Sequence, residues 1–502
     1  VSALKYLAQH LPVALVMFIG AVLPGYAAPV SYEQFGAKGD GVADDMPAIL
    51  KAHAHANEHG LPVKSKPDAT YHLGTKALTA IIATDTDWGS SRFIIDDSGE
   101  VADRKKALFE VRSLLKPIPL EIKSLRRGQT KLDVEPDTDC LLYVENLNRK
   151  LFIRRGLNAN SGSPQKEVFI LRKDGTVEGG IDWDYETLTR VEARPIDEKT
   201  LTLRGGIFTN IANRGRQTDY WARNISIRRS NTVVHGVAHR VTGEGVHGQP
   251  YYGFLHASRC ARIIFRDCVI DARKTYSKDA GEGKTVPMGS YGYSADLVID
   301  FRMKGCRMGN DIHDRSRWGV IGTNFMKDIL LEGCELSRMD VHQGVSGSYI
   351  IRRTTLGHMG LNAIGRGKLI VEDSTIHGHS LIRFREDYGS TWDGTVLIRN
   401  SRWLPHGGAS LTMFDMSNDG THDFGYPCSM PSVITIDGLT VDDSRSKSLA
   451  FFGKPLGKAG GKKPAPYRLT EKIEMKGLKT SSGREPVVSA DPKLAEAVKV
   501  IR

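Results

Sequence analysis

Ile263-Ile264-Phe265-Arg266-Asp267-Cys268-Val269-Ile270 is a short phrase that the chain keeps rewriting. Two apolar residues alternate, a small residue follows, and another apolar one closes the phrase. It returns as Phe301-Met303-Cys306-Met308, Ile329-Leu331-Cys334-Leu336 and Tyr349-Ile351-Thr354-Leu356. Further copies are Leu369-Val371-Ser374-Ile376, Val396-Ile398-Ser401-Trp403 and Ile434-Ile436-Leu439-Val441. Weaker ones are Leu201-Leu203-Gly206-Phe208, Ile225-Ile227-Ser230-Thr232 and Ile473-Met475-Leu478. Alternation puts every second side chain on one face of a strand. A strand-sized unit cannot bury that face alone, so successive units must stack into a solenoid whose extra length leaves as loops. The expected fold is all-β: a parallel β-helix.

The rest of the chain is consistent with an exported protein. Lys5 is followed by the apolar stretch Leu11–Leu23 and then Gly25-Tyr26-Ala27, which reads as a signal peptide over 1–27 cut near Ala27–Ala28. No later segment is apolar enough to span a membrane. The 502 residues carry 69 Lys and Arg against 58 Asp and Glu, a net charge of +11. In a secreted or periplasmic protein that charge suits an anionic glycan or envelope surface. Nucleic acid is not expected, because no dense basic run is interleaved with aromatics. Of six cysteines, Cys268, Cys306 and Cys334 share the small-residue slot of consecutive coils, which predicts a buried thiol ladder. The pairing of Cys140, Cys260 and Cys428 stays open, and no CxxC pair points to structural zinc.

After the signal, Phe35-Gly36-Ala37-Lys38-Gly39-Asp40-Gly41-Val42-Ala43-Asp44-Asp45 runs through a glycine-rich turn into a helix with apolar positions Ala48, Ile49, Ala52 and Ala56. This phrase resembles the opening motif of the pectate-lyase-like superfamily. Its members include pectinases, alginate epimerases, exo-glucanases and phage tailspikes. The resemblance implies a right-handed parallel β-helix, an N-terminal cap helix, a carbohydrate-active protein, and structural roles for Asp44 and Asp45. The expected organisation is a cap and first coils over 28–99, an inserted antiparallel β module over 100–198, the coil stack over 199–490 and a C-terminal cap over 491–502. The cap begins at Asp491-Pro492.

A site on such a stack needs outward polar residues from adjacent coils. Asp340 and His342 alternate around Val341, and Arg383 and Arg385 alternate around Phe384 two coils on. Two coil steps of ~4.8 Å leave about 10 Å, room for one sugar ring. The expected catalytic set is Asp340, His342, Arg383, Arg385 and Asp387. Expected substrate contacts are Asp311, His313, Arg317, His358, Asn362, His379, Tyr388 and Trp392. His235, His239, His247 and His256 read as structural. No metal is expected, although Asp311 and Asp314 offer a weak calcium site.

This pattern favours β-elimination from a uronate-containing glycan, with arginines neutralising the carboxylate and His342 or Tyr388 as base. The alternatives are a glycoside hydrolase using Asp340 with Asp387 or Asp311 with Asp314, and a uronate epimerase, since Asp340-Val341-His342 is similar to the epimerase Asp-Pro-His. A non-catalytic, tailspike-like binding module is the third. The oligomeric state is not readable.

Overall fold

The computed structural model describes residues 28–156, 159–216, 219–279, 285–319, 321–418, 422–453 and 467–502. The expected signal segment lies outside them. Twenty-seven strands form one continuous sheet wound into a parallel β-helix, as the repeat requires. The registers tie the first member of each phrase into one inward row: Ile263, Phe301, Ile329, Tyr349, Leu369, Val396, Ile434 and Ile473.

Each coil bends at the same place. The residue before the small slot is left-handed in Gly205, Gly236, Asp267, Gly305, Gly333, Arg353, Asp373, Asn400, Gly438 and Gly477, with φ between 45° and 84°. Glycine, Asn and Asp take most of these positions because other side chains clash there. The bend turns the small residue inward, where its polar atom meets a carbonyl of the preceding coil. Cys268 Sγ reaches Val234 O (3.6 Å), Cys306 reaches Phe265 O (3.4 Å), and Ser374 Oγ reaches Ile351 O (3.3 Å). All six cysteines are buried and free, so the thiol ladder stands.

One weak copy falls in the wrong place. Thr232, not Ile225, pairs with Leu201 and Ile263, so this coil reads Thr232-Val234-Val237-His239. Ile225–Ile227 belongs to the neighbouring face, paired with Phe109–Val111 and Leu255–Ala257. The coil escapes detection because Thr and His occupy inward slots; His239 is buried with its ring stacked on Phe254 at 4.0 Å.

The ends and the insertion complete the frame. Asp45 folds the glycine turn by accepting from Lys38 N and Gly39 N, and Asp44 accepts from Met46 N at the start of helix Met46–His59. At the other end, Asp491 caps helix Pro492–Ala497, and strand Lys499–Ile501 closes on Lys472–Glu474. The stack still contains Phe109–Val111. Antiparallel pairing begins at Ile118 and builds a four-stranded sheet from Cys140–Leu151, Ser163–Leu171, Val177–Glu178 and Arg190–Pro195. Cys140, Leu142 and Val144 fill this module's own core, while Leu141, Tyr143, Val168 and Ile170 pack on the stack. Buried Lys327 pins the two together, with Nζ 2.6 Å from Glu167, 2.6 Å from Gly180 O and 3.2 Å from Asp182. No helix among the described residues is long and apolar enough to cross a membrane.

Candidate functional site

Asp340 sits in an outward row set by strand register. Ser294, Gly322 and Asp340 are neighbours, and Asn362, Arg383 and Asp415 continue the line. Asn362 Nδ2 joins the two halves by donating to Asp340 Oδ1 at 2.9 Å. Although it points outward, the Asp340 side chain is completely covered. Arg338 Nη2 lies 2.5 Å from Oδ2, Arg385 Nη1 lies 3.1 Å from Oδ1, and His342 Nε2 lies 2.9 Å from Oδ2.

His342 reaches this position through a bulge. Thr323 pairs with Val341 and Asn324 with Gln343, so His342 is the extra residue, and bulges re-aim side chains in this way. Its Nε2 also lies 3.2 Å from Tyr291 Oη. Tyr291 fits because Gly322, beside Asp340, has no side chain; a Cβ there would stand 2.7 Å from the Tyr291 ring. About a fifth of the imidazole (21%) remains exposed, against none of Asp340.

The inserted module completes the cluster. Residues 152–155 run over the stack: Phe152 packs against Gly344, Arg155 N bonds Asp387 O at 2.9 Å, and Arg154 Nε lies 2.8 Å from Asp387 Oδ2. Arg385 bridges the two carboxylates, bonding Asp387 at 2.7 and 2.9 Å as well as Asp340.

Burial raises the pKa of Asp340, but Arg338, His342 and Arg385 together hold it well below the usual carboxylate range. Asp387 is likewise raised by burial and brought below its ordinary value by Arg385 and Arg154. Burial lowers His342, and Asp340 offsets only part of that, so the ring is neutral near pH 7. Burial keeps the Tyr291 phenol protonated. A carboxylate on Nε2 fixes the histidine proton there and leaves the lone pair on Nδ1. The group can therefore accept one proton at His342 and supply another at Tyr291, while neither carboxyl can donate one.

The expected residues divide. Asp340, His342, Asn362, Arg385 and Asp387 come together, and Arg383 shares the row but stands 53% exposed, 4.0 Å from Asp415. Arg385 leaves that row because alternation ends after Phe384, where a 3₁₀ turn at Glu386–Tyr388 begins. Tyr388 is buried beneath Arg154 and Arg385, and burial raises its phenol, so it does not fit the role of base. Trp392 is not placed to contact a substrate. It opens strand Trp392–Trp403, fully buried beside Phe384 and Tyr349, because the chain re-enters the stack there rather than at Thr395. Arg317 is tied to Glu244 and Asp314. Asp311 and Asp314 bond backbone amides of their own loop. His313 and His379 lie in turns and His358 lies within strand Thr355–Ala363, all leading to this face rather than at Asp340. Arg154, Tyr291 and Arg338 escaped the sequence reading. Arg338 was in plain sight, alternating with Asp340 and His342.

A separate cavity of about 210 Å³ opens between module and stack beside Gln343 and Gly344, lined by Trp183, Arg366, Tyr426 and the Glu167–Lys327–Asp182 group. It does not contain Asp340.

No family profile matches the chain. Over 94 residues it is 32% identical to a KL64-specific capsule depolymerase of Klebsiella phage P510, covering 16% of this chain and 9% of that protein, so the match spans about a tenth of the relative's length. The tailspike gp61 of Pseudomonas phage phi297 superposes with a TM-score of 0.57 at 13% identity, over 94% of this chain and 83% of that one. The tailspike gp49 of Pseudomonas phage LKA1 gives 0.49 at 14% identity, over 94% and 84%. At such identity the likeness to gp61 is one of fold.

Proposed function

We propose that this chain is an extracellular or periplasmic enzyme that cleaves an acidic, uronate-containing polysaccharide by β-elimination. The observation that carries the reading is the Asp340–His342–Tyr291 chain on the outer face of the coils. In this reading His342 Nδ1 takes the C5 proton, and Asp340 stabilises the imidazolium through Nε2–H. The C5 electron pair forms the C4=C5 double bond, and the glycosidic oxygen leaves with the Tyr291 proton. Loss of the Nδ1 proton to solvent and uptake of one by Tyr291 then restore both groups with the histidine proton still on Nε2, so the balance closes. Arg383, exposed on the same row, neutralises the uronate carboxylate.

A hydrolase is less well supported, because it needs one carboxyl with a raised pKa as acid and both Asp340 and Asp387 are held low. The named activity of the phage P510 relative, a capsule depolymerase, supports polysaccharide breakdown without choosing between these chemistries.

The test is a panel of acidic and neutral glycans, read for new reducing ends and for ultraviolet absorbance of unsaturated uronates. Both signals, lost in His342→Ala, are expected. Reducing ends without absorbance would make it a hydrolase. An altered uronate composition with neither signal would make it an epimerase, and bare binding would make it a recognition module.

A further inference from the structure

Three imidazoles from three different coils converge outside the Asp340 cluster. His313 lies in the loop after strand Arg307–Met308, His377 follows Thr375–Ile376, and His406 follows Trp392–Trp403. Their ring centres stand 4.5 Å (His313 to His377), 5.5 Å (His313 to His406) and 5.9 Å (His377 to His406) apart. A zinc-type ion lies ~2.1 Å from each ligating nitrogen, hence about 3.2 Å from each ring centre, and a tetrahedral angle then spaces those centres about 5 Å apart. The three observed separations straddle that value.

The supporting contacts are those a metal site uses. A ligating histidine donates its other N–H to a carbonyl or carboxylate, which fixes the tautomer and aims the lone pair. The Leu404 amide donates to the Ile376 carbonyl at 2.9 Å, which seats His377 beside the segment that carries His406. A fourth ring, His358, has Nδ1 3.0 Å from Ile312 O, beside His313. It is also within electrostatic reach of both His313 and His406. Solvent reaches the cluster, since His313 and His406 are exposed and His377 and His358 are half-buried.

We propose that His313, His377 and His406 bind one transition-metal dication of the zinc, nickel or copper class, with His358 or water as fourth ligand. An all-imidazole donor set suits these ions and not calcium or magnesium, which take oxygen. Among the described residues no group of three or more His, Cys, Asp or Glu side chains is arranged to hold a metal ion as it stands. The ion therefore draws these rings inward by side-chain rotation, which the exposed loops of His313 and His406 permit. The bound ion would clip the long loop after Met308 to the turns after Ile376 and Trp403, on the edge that leads into the Asp340 face.

The test uses full-length protein without a polyhistidine tag. Titration with Co²⁺, followed by visible d–d absorption and by equilibrium dialysis, is expected to show one ion per chain. Zn²⁺ is expected to displace it. His377→Ala should weaken binding roughly tenfold or more, and His313→Ala with His406→Ala should abolish it. His235→Ala, whose ring pairs with Asp267, should leave it unchanged. Circular dichroism checks folding, and should His377→Ala fail to fold, the variant at the two exposed rings still decides. Unsaturable binding, or binding unchanged in that double variant, would overturn the site. Dialysis reads no glycan cleavage, so this result stands apart from that of the proposed reaction.

Discussion

Asp340 and Glu167 are both carboxylates buried against cations on the same stack, and their surroundings push them in opposite directions. Burial raises Glu167, and Lys327, which it shares with Asp182, does not bring it back. Asp340 meets two guanidiniums and an imidazole, and is held well below its ordinary range. Glu167 spends its oxygens on Lys327 and on the amides of Asp182 and Trp183, all within the seam between module and stack. Asp340 instead holds a histidine that still reaches solvent and a tyrosine beyond it. One arrangement is a closed pin; the other keeps an open end. Replacing a member of the first should cost stability, and of the second, activity.

The largest expected effect tests the open end. Asp340→Asn removes the carboxylate that fixes the His342 proton on Nε2, and a comparable loss of tautomer control lowers turnover about 10⁴-fold. The sign of the pH effect follows from the same contact. Asp340 raises the His342 pKa, so without it the residual activity should lose its acid limb at lower pH than the wild type. A pH–rate profile checks this. An acid limb that does not move would remove His342 from the base role.

Next comes the pin. Lys327→Ala leaves buried Glu167 and half-buried Asp182 without their cation, a change that costs about 3–5 kcal/mol. Thermal unfolding and limited proteolysis within the module should report it. The loss should reach the site only through Arg154 and Phe152, which the module delivers. A variant that melts like the wild type would mean that the module docks by its apolar face alone.

Gly322→Ala asks how closely the open end is fitted. The added methyl meets the Tyr291 ring at 2.7 Å, and misplacing a reacting group by about 1 Å can cost roughly 100-fold. Turnover should fall by that order with little change in melting temperature. An unchanged rate would take Tyr291 out of the reaction.

The repeat was legible because burial selects for it: Ile263, Phe301 and Ile329 need only be apolar, and alternation shows itself in any such row. Outward positions obey no such rule. Asp340, His342 and Asn362 were found by their alternation on adjacent coils, but Tyr291 lies at a turn before its strand. Arg154 comes from a module inserted far upstream in the chain. Trp392 was expected at the substrate, but its neighbour Gly394, like Gly365 and Gly367, is where backbones of adjacent coils meet in register, so it packs inside the stack. His239 hid its coil by filling an apolar slot with a polar ring.

The smallest expected effect belongs to the inward row. Cys306 occupies the slot that Ser374 and Ser401 fill further along, and each directs its polar atom at a carbonyl of the coil before it. Cys306→Ser keeps the shape and exchanges a weak S–H donor for a stronger hydroxyl, so stability should change by no more than about 1 kcal/mol. Glycan cleavage should not change at all, since the side chain faces away from Asp340. Chemical denaturation of Cys306→Ser beside Cys306→Val separates two accounts of the row. Equal stabilities would mean that the slot only needs filling. A larger loss for Val, which leaves the Phe265 carbonyl without its partner and crowds the bend after Gly305, would mean that the small polar side chain itself sets where each coil turns.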